Sequence, residues 1–104
     1  AARLRGARPT AVNLAWALER MLHALGGVSQ DQRAERAWQQ AGALAEADVA
    51  ANAAIGRHGL ALLQAVAARR PGPVRVLTHC NAGWLATVAW GTATAPLYGA
   101  TPAT

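Results

Sequence analysis

The sequence has one cysteine, no lysine and, after Arg75, no charged residue. A single cysteine cannot form an internal disulfide, so nothing points to a secreted, disulfide-stapled fold, and a reducing cytoplasm is the expected location. The first residues are rich in arginine and precede no apolar run, so the pattern of a signal peptide is also missing. We therefore expect a cytoplasmic protein.

The uncharged stretch from Val76 onward raises the question of a membrane span. Asn81, Gly83 and Pro96 interrupt this stretch, and its apolar part is shorter than the ~20 residues that a span requires. A helix buried against protein on most sides is the better interpretation. We expect no membrane partner.

Several familiar motifs are lacking as well: zinc-ligand spacings, a Walker loop, a GxGxxG segment, a serine-triad motif and internal repeats. All ten basic residues are arginine and the formal charge is +5, so a basic nucleic-acid-binding helical module has to be considered. The arginines are scattered, however, and the four tryptophans are not interleaved with them as a stacking surface requires. Solvated helix faces explain most of them, and we expect no nucleic-acid partner and no metal.

What the sequence does contain is mainly helical pattern. Apolar residues at helical spacing predict three helices, at about 10–25, 29–55 and 58–70. Pro9 pushes Arg8, which precedes the first helix, toward an extended backbone. The first 72 residues are therefore predicted to be helical.

Two details of the second and third helices stand out. Glu46 and Asp48 lie two residues apart, so on a helix they point in different directions, and we interpret them as part of a solvated face. Gly56 and Gly59 bracket an Arg-His pair, and each costs the helix about 1 kcal/mol relative to alanine. Such a cost indicates a kink, close packing against another backbone or a functional approach, and the sequence leaves all three open.

A proline-glycine-proline break at 71–73 separates the helical part of the sequence from a segment with a different pattern. Residues 74–78 are β-branched and apolar and predict a strand, and residues from Trp84 to about Tyr98 predict a helix. The expected fold is thus mainly α with one short strand. One strand cannot form a sheet, so residues 73–104 look like the opening β-α unit of a larger α/β domain that is absent or supplied by a partner.

Cys80 lies at the predicted turn from strand to helix. Helix-start N–H groups carry partial positive charge and stabilise a thiolate, which is the reactive form of cysteine. A lone cysteine is also among the residues most often buried as a small hydrophobe. From the spacing alone, a chemical role and a structural role both remain open.

Two segments resemble the S-methyl-5-thioribose-1-phosphate isomerase family, which is shared with ribose-1,5-bisphosphate isomerases and the regulatory subunits of the translation-initiation exchange factor. They are Gly-Ala-Arg-Pro-Thr-Ala-Val-Asn-Leu at 6–14 and Leu-Thr-His-Cys-Asn-Ala-Gly-Trp-Leu-Ala-Thr at 77–87. Residues 52–60 and 90–98 are similar to the same family in the same order. The His-Cys-Asn-Ala-Gly block favours the isomerases over the regulatory subunits.

The resemblance implies a specific activity. These isomerases convert 5-methylthioribose 1-phosphate to 5-methylthioribulose 1-phosphate in methionine salvage, without a metal or a nucleotide, so we expect no cofactor. Cys80 matches the catalytic cysteine of the family, and Arg8 matches an arginine that binds the substrate phosphate, a role that suits its bidentate fork. Asn81, beside the cysteine, is assigned to substrate binding. The whole protein is expected to be a homodimer.

The resemblance further implies that the chain is an internal fragment. The family's partner aspartate matches no residue here, and residues 99–104 depart from the family, in which this helix leads into a further strand. We therefore expect the end of a helical N-terminal domain and the first β-α unit of a Rossmann-like domain, inactive when isolated. The alternative is a non-catalytic regulatory subunit of the translation-initiation exchange factor type.

Overall fold

The computed structural model describes residues 1–100, and this part of the chain is mainly helical, as predicted. In chain order the elements are α1 (Ala2–Ala7), α2 (Val12–Leu25), α3 (Arg33–Arg69), a short 3₁₀ helix (Trp84–Ala86) and α4 (Ala95–Ala100). The chain divides into two compact units, one from Ala1 to Leu44 and one that begins at Ala45. The division into residues 1–72 and 73–104 stays a prediction.

The first unit contains α1, α2 and the beginning of α3. α2 agrees with the predicted helix at 10–25, and it is followed by Gly27, whose φ of 75° is a left-handed conformation that glycine adopts without strain. α1 contacts α2, and the guanidinium of Arg5 pairs with the carboxylate of Glu19 at 3.0 Å. Both side chains are exposed, so the pair stabilises the contact by at most about 1 kcal/mol.

α3 is one continuous helix of 37 residues, so the two separate helices predicted at about 29–55 and 58–70 are wrong. The prediction placed the break near Gly56. The surrounding sequence is rich in alanine, the strongest helix former, and this offsets the modest cost of two glycines. The helix therefore continues through both of them.

The two glycines allow α4 to lie directly against α3, which decides among the three roles that the sequence left open. A Cβ atom on Gly56 would lie 3.3 Å from the carbonyl oxygen of Ala95. A Cβ atom on Gly59 would lie 2.8 Å from Cβ of Pro96. A Cβ atom at Gly59 would overlap Pro96, and one at Gly56 would require Ala95 to shift by a few tenths of an ångström, so the role of the glycines is close packing.

The short strand expected at 74–78 is not present among residues 1–100, and the described part contains no sheet. Hydrogen bonds to a neighbouring strand stabilise a β-strand, and this part of the chain offers no second strand. Residues 71–80 are instead exposed throughout. The Rossmann-like domain is therefore not confirmed.

The helix expected from Trp84 to about Tyr98 is also wrong. Only the 3₁₀ helix and α4 form in that range, because Trp90 and Gly91 adopt positive φ values of 72° and 68°, which no right-handed helix contains. Threonine hydroxyls bond to backbone groups here and stabilise turns in place of helix. The expected departure of residues 99–104 from the family falls mostly outside the described residues.

The buried interior of the described chain is small and consists of Asn52, Gly91 and Ala95. Trp84 stacks on Tyr98 with 5.4 Å between ring centroids. Within residues 1–100, every helix is too short or too polar to cross a lipid bilayer. All three buried residues belong to the second unit.

Substitution of Gly59 by alanine should destabilise the second unit. The new methyl group would overlap the ring of Pro96, and overpacking of this kind costs about 1–3 kcal/mol. Gly42→Ala is the matched control on α3, since a Cβ there meets no atom within 4 Å, and it should stabilise by about 0.5–1 kcal/mol. Urea denaturation followed by circular dichroism measures both, and equal effects of the two substitutions would contradict the packing argument.

Candidate active site

Cys80 is exposed, at the end of the irregular segment that follows the Pro71–Pro73 break. Its backbone φ of 67° lies in the left-handed region, which is uncommon for a residue other than glycine. The carbonyl of Cys80 accepts a hydrogen bond from the amide of Ala82 at 3.1 Å. The thiol is therefore carried by a tight turn in an unusual backbone conformation.

The carbonyl of Ala82 connects this turn to the residues before α4. It accepts hydrogen bonds from the amide of Thr92 at 2.9 Å and from the hydroxyl of Thr94 at 3.1 Å. Gly91 is buried beside it, and a Cβ atom on Gly91 would lie 2.6 Å from the same carbonyl oxygen. The turn that carries Cys80 is thus held closely against residues 91–94.

Thr87 stabilises the turn that precedes Gly91. Its hydroxyl donates to the carbonyl of Ala89 at 3.1 Å and accepts from the amide of Gly91 at 3.1 Å. A single side chain therefore supplies both hydrogen bonds that would otherwise come from helical backbone. We call residues 87–94 the supporting loop.

Asp48 and Asn52, one turn apart on α3, connect the helix to the supporting loop. One carboxylate oxygen of Asp48 accepts from the Asn52 side-chain amide at 3.2 Å and from the backbone amide of Val88 at 2.9 Å. Asp48 is half-buried and Asn52 is 3% exposed. The interpretation of Asp48 as part of a solvated face is wrong, whereas Glu46 is exposed as expected.

Sequence reasoning missed this pair because Asp48 was compared with Glu46, two residues away, and not with Asn52, four residues away. An aspartate and an asparagine four residues apart lie on the same side of a helix and can bond to each other. They also precede the glycines at 56 and 59 by one to three turns. That combination was the available signal that this side of α3 faces other protein and not water.

The site residues assigned from the sequence lie as follows. Cys80 and Asn81 are adjacent and exposed in the second unit, and His79 before them is exposed as well. Arg8 is exposed in the first unit, directly after α1, a helix that the sequence did not predict; its φ of −141° is extended, as expected before Pro9, while its ψ of 77° falls short of the extended range. Its carbonyl accepts from the amide of Ala11 at 3.1 Å.

Some open grooves of the second unit lie away from the cysteine turn. One, of about 410 Å³, lies among α3, Val74, Val76 and α4; another, of about 230 Å³, is lined by residues that include Arg57 and Trp90. Neither includes Cys80 or Asn81. Among residues 1–100, no three histidine, cysteine, aspartate or glutamate side chains come together in a cluster that could hold a metal ion.

The geometry therefore defines a helical scaffold that presents an exposed cysteine on a supported turn. The chain matches the initiation factor 2 subunit family over residues 1–100, and it belongs to that family. The resemblance stated from the sequence is thereby confirmed at the level of the family.

Curated relatives are similar over most of this chain. Proteins named methylthioribose-1-phosphate isomerase are 55% identical in Rhodospirillum rubrum (91% of this chain, 26% of the relative) and 55% identical in Methylorubrum populi (94% and 27%). A protein of the same name in Dechloromonas aromatica is 53% identical (93% and 27%). The chain thus spans about a quarter of the length of these relatives. No solved structure matches it.

Proposed function

We propose that this chain is part of an aldose-ketose isomerase that converts 5-methylthioribose 1-phosphate to 5-methylthioribulose 1-phosphate in methionine salvage. The observation that carries the proposal is an identity of 55% to proteins named methylthioribose-1-phosphate isomerase, over nearly all of a chain that contains Cys80. The whole protein is proposed to act in the cytoplasm as a homodimer, without a metal or nucleotide cofactor.

The reaction requires a group that acts as a general acid or base. The phosphate blocks the anomeric carbon, so the enzyme must open the sugar ring before a proton or hydride moves between C1 and C2. A thiol that gives and takes a proton suits either step. The exposure of Cys80 and the hydrogen bonds that hold its turn support this role. Asn81 is proposed to contact the substrate from the same turn.

Direct turnover is the test of the proposal. The whole protein is incubated with 5-methylthioribose 1-phosphate, and formation of the ketose is followed by NMR. We expect conversion, and we expect no reaction of 5-methylthioribose without its phosphate. Binding of the sugar phosphate without conversion would favour a regulatory subunit, and nucleic-acid binding that falls steeply with salt would favour the basic module.

Arg8 is proposed to bind the substrate phosphate, and replacing it by alanine should raise KM. A hydrogen bond to a charged group contributes about 1.5–3 kcal/mol, so the expected rise is about 10- to 100-fold with a smaller change in kcat. Arg3→Ala is the control, because Arg3 is also an exposed arginine and lies on α1. If KM rises equally in both variants, the effect comes from the overall positive charge and not from a specific contact of Arg8. If KM is unchanged in Arg8→Ala, Arg8 does not bind the substrate phosphate.

A further inference from the structure

We propose that Asp48 and Asn52 are positioning residues for Cys80. Through the supporting loop they set the place of the turn that carries the thiol, although neither touches it. The inference rests on the proposed isomerase function for its kinetic consequence. Its structural part, the coupling between α3 and the cysteine turn, stands on the hydrogen bonds of the second unit alone.

The first link joins α3 to the supporting loop. The carboxylate of Asp48 accepts the amide of Val88 at 2.9 Å, a bond between residues that are 40 apart in the sequence. A hydrogen bond to an ionised acceptor is about twice as strong as one between neutral groups. The side chain of Asn52, almost completely buried, donates to the same oxygen at 3.2 Å and so orients the carboxylate.

The second link fixes the shape of the supporting loop. The hydroxyl of Thr87, next to Val88, bonds to the amide of Gly91 and the carbonyl of Ala89. At the far end of the loop, the amide of Ala95 donates to the carbonyl of Thr92 at 3.2 Å, and Ala95 is packed against Gly56 of α3. The loop is therefore attached to α3 at both ends, by a charged hydrogen bond at one and by close packing at the other.

The third link connects the supporting loop to the turn that carries the cysteine. Thr92 and Thr94 both donate to the carbonyl of Ala82, and the amide of Ala82 donates to the carbonyl of Cys80. Each step joins one rigid group to the next through a bond of 2.9–3.1 Å. A displacement of the loop at Val88 is therefore transmitted to the position of the thiol.

Other roles for Asp48 and Asn52 are less well supported by their contacts. Asp48 forms hydrogen bonds with Asn52 and with the loop at Val88, and forms none with Cys80 or Asn81 in the described part of the chain, so any effect on the thiol passes through the loop. Asp48 has a fixed protein partner 40 residues away, in a bond that is exposed to solvent at Val88. Positioning is the role that both hydrogen bonds share.

The experiment compares Asp48→Ala, Asp48→Asn and the control Glu46→Ala in the whole protein. Glu46 is an exposed carboxylate on the same helix, one half-turn away. In Asp48→Ala, hydrogen exchange at the amides of Thr92 and Ala82 should accelerate about tenfold or more, while the amides of α2 keep their exchange rates. The turnover number should fall about 10- to 100-fold with KM changed less than about threefold, because misplacement affects the reacting group and not the binding of substrate.

The asparagine variant separates positioning from charge and from misfolding. Its side-chain oxygen still accepts the Val88 amide, so we expect exchange and kcat within about threefold of the unsubstituted protein. Unchanged exchange at Thr92 in Asp48→Ala would overturn the coupling, whether or not the protein is an isomerase. Accelerated exchange with an unchanged kcat would overturn the positioning role and leave the proposed function intact. If the wild-type protein shows no turnover, the proposed isomerase function is contradicted. The exchange rates would still test whether α3 is coupled to the cysteine turn.

Discussion

Replacing Cys80 by alanine should lower the turnover number for 5-methylthioribose 1-phosphate by about 100- to 10,000-fold, the range that loss of a general acid or base produces. Alanine removes the only thiol in the sequence and leaves the backbone hydrogen bond between residues 80 and 82 unchanged. Serine keeps a hydroxyl that ionises far less readily than a thiol, so Cys80→Ser should be almost equally slow. Product formation measured by NMR at saturating substrate gives kcat for both variants.

Thr78→Ala is a suitable control for this substitution. Thr78 is exposed in the same irregular segment, two residues before the cysteine, and its loss should leave kcat within about twofold. Circular dichroism of the three proteins checks that helix content is retained. Full activity of Cys80→Ala would contradict the proposed catalytic role of the cysteine.

Replacing Gly91 by alanine should strongly destabilise the second unit. Gly91 is buried with a φ of 68°, and a Cβ atom there would overlap the hydroxyl of Thr94 and lie 2.6 Å from the carbonyl oxygen of Ala82. Left-handed strain costs about 1–2 kcal/mol and overpacking about 1–3 kcal/mol, so the expected loss of stability is about 2–5 kcal/mol. Urea denaturation followed by circular dichroism measures it.

Gly27→Ala isolates the strain from the overlap. Gly27 has a similar φ of 75°, but a Cβ atom there meets nothing within 4 Å, so only the loss of about 1–2 kcal/mol from left-handed strain is expected. The difference between the two variants measures how tightly Gly91 is held against the cysteine turn. If the two variants lost equal stability, the close approach of residues 82 and 91 would be contradicted.

The helical segments show where local pattern is sufficient. Apolar periodicity predicted α2 nearly to the residue, whereas the short helix α1 before Arg8 was not predicted. The same periodicity failed after Trp84, where threonine hydroxyls and two residues of positive φ replace helical hydrogen bonds. A hydrophobic pattern indicates which residues avoid water. It does not indicate which backbone groups form hydrogen bonds with side chains.

In the candidate site, too, local sequence features were predictable and contacts between distant residues were not. Cys80, Asn81 and Arg8 were assigned from short motifs whose residues are neighbours in sequence, and their roles in substrate turnover stay predictions. Asp48 was misjudged because its partner, the amide of Val88, lies 40 residues away. No local property of an aspartate on a helix distinguishes a solvated carboxylate from one that holds a distant loop.

The sequence by itself therefore determined the helical class and the family to which the chain belongs, because composition, periodicity and motifs are local properties. Tertiary structure alone decided that α3 is unbroken, that its two glycines serve close packing against Ala95 and Pro96, and that Asp48 accepts the backbone amide of Val88. Those outcomes depend on contacts between distant residues, and such contacts exist only once the chain has folded.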